Sequence, residues 1–214
     1  MNRSRAALLV LLLALAFLTV KGVLMWTRPA YDPARQIALM EEARGFALGR
    51  RIAADLPEGG RAVLLEPEPA GDAGKATSAN LLRGLQAGGG GKLQFVLHAV
   101  PLSRDPQLPA FLQERVAGNA HLNGRADALA ANPGAVALVA RIDPAVDLPP
   151  PPPGAPPPPL YVLGSGEPPA WETLLASGFV KAVQIDRREG YTSGATPDGV
   201  EAAAAQYFGV IPPR

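Results

Sequence analysis

The chain is 214 residues long, with a formal net charge of +1, no cysteine and only two histidines, His98 and His121. The absence of cysteine excludes disulfides, zinc–thiolate centres and iron–sulfur ligation, and two histidines this far apart in sequence speak against a histidine-built metal site. A balanced charge, with no basic tract beyond the amino-terminal apolar segment, speaks against nucleic acid as a partner.

Arg3 and Arg5 precede an apolar run from Ala6 to Trp26, in which twelve residues are Leu, Val or Phe. As a helix it measures about 31 Å at ~1.5 Å per residue, enough for a hydrocarbon core of ~30 Å. Its one charge, Lys21, stands near the far end and can snorkel outward, while Trp26 suits the interface. The basic flank places the amino terminus inside. The expected organisation is a cytoplasmic 1–5, a single-pass anchor 6–26 in the bacterial inner membrane with the bilayer as its partner, and an extracytoplasmic domain 27–214. The rival reading is a signal peptide cleaved after Ala14-Leu15-Ala16, which would release a secreted domain. That cut follows a very short apolar region, so the anchor is preferred. A buried helix of a soluble protein is the third reading.

Asp32-Pro33 opens the next element as an N-cap followed by proline at the first helical position, a device repeated at Asp105-Pro106 and Thr196-Pro197. The first helix runs over 33–56, with Ile37, Met40, Arg44, Leu48 and Ile52 at three-to-four spacing, and Pro57 and Gly59-Gly60 end it. Short apolar runs bounded by Gly and Pro then predict strands at 61–66, 92–98, 135–142, 160–163 and 179–185. Helices are expected at 77–87, 106–116, 124–131, 168–177 (with Gly178 as its C′ residue) and 197–208. Strands alternating with helices imply crossover units. The expected fold class is α/β: an N-terminal transmembrane helix, then a three-layer Rossmann-like domain on a mostly parallel five-stranded sheet.

One connection breaks the pattern. Residues 148–160 read LPPPPPGAPPPPL where a crossover helix should be, and nine prolines cannot form one. Polyproline II rises ~3.1 Å per residue, so the tract reads as a stiff crossover in place of a helix; docking on an aromatic-grooved partner and a flexible insertion are the alternatives.

Gly71-Asp-Ala-Gly-Lys75-Ala-Thr77 stands where a phosphate loop would, but position 69 is Pro69 and position 76 is Ala76, so it reads as a polar loop. Gly164-Ser165-Gly166 lacks the nucleophile-elbow pattern and reads as a tight turn. No catalytic residue, metal ligand or cofactor is therefore assigned. Charged residues do gather where strands end, which is the usual ligand crevice of an open parallel sheet. Glu66, Arg104, Asp143, Asp186 and Arg187 are the candidate ligand-binding residues, suited to a small polar solute held by carboxylate and guanidinium groups.

From Arg61 onward, with a preceding piece at 45–56, the chain resembles one lobe of the type 1 periplasmic binding proteins, the family of sugar receptors and the lac repressor core. The resemblance is carried by 45–56 (GFALGRRIAADL), Leu82-Arg83-Gly84-Leu85, Ala131-Asn132-Pro133-Gly134-Ala135, Asp143, Leu160-Tyr-Val-Leu-Gly164, Leu175-Ala-Ser-Gly178-Phe-Val-Lys-Ala182 and Gly190. It implies a Rossmann-like lobe, with Asp143 and Asp186 at ligand-contacting strand ends. Three departures from the family are expected: no partner lobe, the proline tract in place of a helix, and Asp186 where a Gln commonly stands. The resulting expectation is a membrane-anchored binding or interaction module of the bacterial envelope, which takes a small polar solute or an envelope protein partner. An envelope hydrolase or transferase working through the strand-end loops, and a purely structural subunit of a membrane complex, are the alternatives.

Overall fold

The computed structural model describes residues 17, 19, 32–101, 124–142, 157–164, 168–176, 178–187, 190 and 197–212. Contacts divide the chain into two units, Met1–Ala34 and Arg35–Arg214. In the first, Phe17 and Thr19 are helical, and the Asp32 carboxylate accepts a hydrogen bond from the Ala34 N–H at 3.0 Å, which is the N-cap expected of Asp32-Pro33. The remainder of the apolar segment 6–26 lies outside the described residues, among which no helix is long and apolar enough to cross a membrane.

Twelve elements follow. They are α1 (Pro33–Asp55), β1 (Gly60–Pro67), α2 (Gly71–Gly88), β2 (Leu93–Val100), α3 (Arg125–Ala131), β3 (Ala135–Arg141), β4 (Leu160–Leu163), a 3-10 turn (Pro168–Trp171), α4 (Glu172–Ala176), β5 (Val180–Asp186), α5 (Val200–Tyr207) and β6 (Phe208–Ile211). The strands form one sheet in the order β2-β1-β3-β4-β5-β6. All pairs are parallel except β5–β6. Position in the sheet explains the sequence pattern. Central β1 and β4 are apolar on successive residues because helices cover both faces, whereas edge strand β2 alternates buried and exposed positions over its first half.

Two cores flank the sheet. Leu48 and Ile52 of α1 and Leu81 and Leu85 of α2 close over Ala62, Leu64, Val139 and Tyr161. On the other face Ala128 of α3 and Trp171 and Leu175 of the α4 region close over Val63, Leu138, Val162 and Val183. A smaller cluster joins Ala43 of α1 to Ala203, Ala204 and Tyr207 of α5. The three-layer arrangement is thus the expected one. Helices α1 and α2 touch backbone to backbone: a Cβ on Gly84 would collide with the Glu42 carbonyl oxygen, and one on Gly45 with that of Leu81.

Several expectations are corrected. The sheet has six strands, not five, because α5 ends at Tyr207 and passes without a linker into β6. Phe208 enters beside Asp186 at the carboxyl edge of β5, so β6 can only run back down the sheet, antiparallel. Helix α5 begins at Val200, not at Pro197: Gly199, at φ +91°, is not helical. Helix α2 begins at Gly71, so the stretch read as a polar loop is its first two turns. Ala73 and Ala76 favour helix there, and Asp72 suits the positive amino-terminal end. Ile37 shares the apolar spacing of α1 yet is 59% exposed. The segment 168–177 is a 3-10 turn before a short helix, with Gly178 in the left-handed region at φ +72° as expected of a C′ residue. Strands β3 and β4 are parallel neighbours, as a crossover at 148–160 requires; most of the proline tract, and the expected helix 106–116, lie outside the described residues.

Candidate functional site at the carboxyl ends of the strands

The order β2-β1-β3-β4-β5 reverses direction between β1 and β3, and an open α/β sheet offers its crevice outside the carboxyl ends at that reversal. Glu66 stands at this end of β1 and Arg141 at that of β3. Alternation sets their direction. Ala62 and Leu64 face α1 and α2, so Glu66 does too, as Arg141 does after Ala137 and Val139.

These side chains belong to a continuous polar relay. The Ser78 hydroxyl of α2 donates to Glu66 Oε2 at 2.6 Å. Arg141 Nε lies 3.8 Å from Glu66 Oε1, and its Nη2 donates to Glu41 Oε2 of α1 at 3.0 Å. Arg44 Nη1 donates to the other oxygen of Glu41 at 2.7 Å, and its Nη2 to Asp186 Oδ1 at 3.3 Å. The Arg44 guanidinium also lies over the Phe208 ring, 5.2 Å from its centroid. Glu41, Glu66 and Asp186 against Arg44 and Arg141 leave a formal charge of −1. Burial is uneven. The Glu66 side chain is 8% exposed, while those of Asp186 and Arg141 are 34% and 41% exposed. Asp186 and Arg141 are therefore the members that solvent, or a solute, can reach.

Two of the sequence-predicted residues, Glu66 and Asp186, are thus joined in one network. Arg187 is placed apart from it: its Nη1 donates to the Ala205 carbonyl at 3.1 Å and caps the end of α5. Arg104 and Asp143 lie outside the described residues. Sequence reasoning missed Glu41, Arg44, Ser78 and Arg141. A signal existed for Arg44, an arginine in the apolar register of α1, and for Arg141, which ends the apolar run of β3. Among the described residues no group of three or more His, Asp or Glu side chains converges as a metal site. A groove of about 280 Å³ lies elsewhere, between α4 and β6, lined by Pro168, Leu175, Ile211 and Pro212 among others.

The fold is a doubly wound α/β sheet with an antiparallel edge strand, and its polar residues collect at the strand ends. No family model matches the chain, and no curated protein matches it. Solved structures do resemble it. A glucose-galactose binding protein from Geobacillus stearothermophilus is 13% identical, with a TM-score of 0.41, over 68% of this chain and 47% of that one. A periplasmic solute binding protein of an ABC transporter from Actinobacillus succinogenes, with bound D-allose, is 15% identical with a TM-score of 0.40 over 68% and 47%. A carbohydrate transporter solute binding protein from Agrobacterium radiobacter, in complex with D-arabinose, is 15% identical with a TM-score of 0.43 over 82% and 59%. The chain spans about half the length of the first two of these.

Proposed function

We propose that the chain is a membrane-tethered binding module of the bacterial envelope, with residues 6–26 as a single-pass anchor and the α/β domain outside the cytoplasm. We assign it a small polar solute at the carboxyl ends of β1, β3 and β5. One observation carries this reading: Glu66 and Arg141 face each other across the sheet's reversal point, within a relay that reaches Asp186 at the solvent edge. Carboxylate and guanidinium groups at a half-open edge suit a ligand that offers several hydrogen-bonding groups. The test is thermal melting of the full chain in detergent micelles with a panel of neutral sugars, polyols and amino acids. One class is expected to raise Tm, and Asp186→Asn is expected to abolish that rise. No shift with any member, or an undiminished shift in the variant, would overturn it. Carbonate extraction of membranes and protease accessibility from the outer side test the anchor; a freely soluble chain would refute it.

A second reading, a subunit that packs α1 on another envelope protein, draws on the exposed Ile37 near the start of α1. A photo-crosslinking residue at position 37 is expected to trap one reproducible envelope protein under that reading, and none under the first.

A further inference from the structure

Gln184 lies on β5 with 0% exposure, and neither the oxygen nor the nitrogen of its side-chain amide has a hydrogen-bond partner. Buried polar groups are seldom left this way, because the lost hydration is not replaced. Strand alternation sets where the amide points. Val183 and Ile185 belong to the core beneath α3 and α4, and Ala182 to the core beneath α1 and α2, so Gln184 and Asp186 both face α1. Asp186 accepts its hydrogen bond from Arg44 of α1, and the Nε of that arginine is also buried and unpartnered. The three unpartnered polar atoms thus belong to side chains of two facing elements, Arg44 on α1 and Gln184 on β5.

Their chemistry selects the occupant. Arg44 Nε and Gln184 Nε2 only donate, and Gln184 Oε1 only accepts, so the occupant must do both. The relay already carries −1, which repels an anion, and two inward N–H donors oppose a cation. A neutral hydroxylic molecule both donates and accepts, and water is the smallest of these. We propose that an ordered, long-lived water is held between α1 and β5 by the Gln184 amide and Arg44 Nε. The site shares Arg44 with the relay that reaches Asp186, and its test is made without any ligand at the strand ends.

Gln184→Met keeps the length of the side chain and removes its amide. If the amide is hydrated, the variant loses those hydrogen bonds and melts lower than the wild type by a few degrees. If the amide is buried dry, its removal leaves Tm unchanged or raises it, and that outcome overturns the proposal. Wild-type full-length protein in detergent micelles supplies the measurement that needs no variant. The Gln184 side-chain NH2 protons are expected to show nuclear Overhauser contacts with water, of the sign that marks long residence. No such contact, or a protein acceptor hydrogen-bonded to that amide in a crystal structure, would refute it.

Discussion

Helix α1 meets its neighbours in two unlike ways. Toward α2 it presents Glu42, Gly45, Phe46 and Gly49, and Gly84 and Gly88 answer from the other side, so carbonyl oxygens and backbone atoms fill the space where side chains would be. Toward the strand ends it presents Glu41 and Arg44, whose contacts are charged hydrogen bonds between long side chains. The first contact has no slack, because backbone cannot move aside without moving a helix. The second can rearrange, since arginine and glutamate have several rotamers and water can join them. The two kinds sit on different sides of one helix.

Four substitutions sharpen or break that contrast. The largest effect is expected from Gly84→Ala, which drives a methyl into the Glu42 carbonyl and should cost about 3 kcal/mol in urea unfolding, at the upper end of overpacking effects. A change below about 1 kcal/mol would show that the helix contact yields after all. Glu41→Ala removes the carboxylate shared by Arg44 and Arg141 and is expected to cost about 2 kcal/mol, with the loss shrinking in high salt because Arg141 is partly exposed.

Tyr161→Phe is expected to cost about 1 kcal/mol near neutral pH, because it removes the hydroxyl that donates to Asp55 Oδ2 at 3.2 Å. Burial raises the pKa of this phenol, and the neighbouring Asp55 carboxylate raises it further. The unfolded chain ionises a tyrosine near pH ~10 while the folded one resists, so the contribution of Tyr161 is complete below that pH and fades as pH rises above it. The phenylalanine variant should therefore lose less stability than the wild type between neutral pH and pH ~11; parallel pH–stability curves would contradict this. Smallest of all is Glu201→Ala, which breaks the pair with Arg50 at 3.4 Å. Both partners are more than half exposed, so under about 0.5 kcal/mol is expected.

Much of the fold was legible along the chain. The Asp32-Pro33 start of α1, the apolar runs of β1, β3 and β4, and Gly178 after α4 each declare themselves through local chemistry: a cap, burial on both faces, a left-handed residue. Strand β6 did not, since FGVI following a helix carries no mark of its direction. That direction follows only from where α5 delivers the chain. The early start of α2 was hidden because glycine and lysine beside alanine read equally well as loop.

At the candidate site, charge at strand ends was enough to single out Glu66 and Asp186, because a parallel sheet always exposes those ends. Their partners were not foreseeable. Arg141 lies 75 positions from Glu66, and Arg44 lies 142 from Asp186. Local composition thus determined five of the six strands, the body of the described helices and two members of the site, Glu66 and Asp186. Only the tertiary structure decided that α1 lays its charges across the sheet's reversal point and leaves Gln184 buried beside them, because packing, not sequence distance, sets which side chains meet.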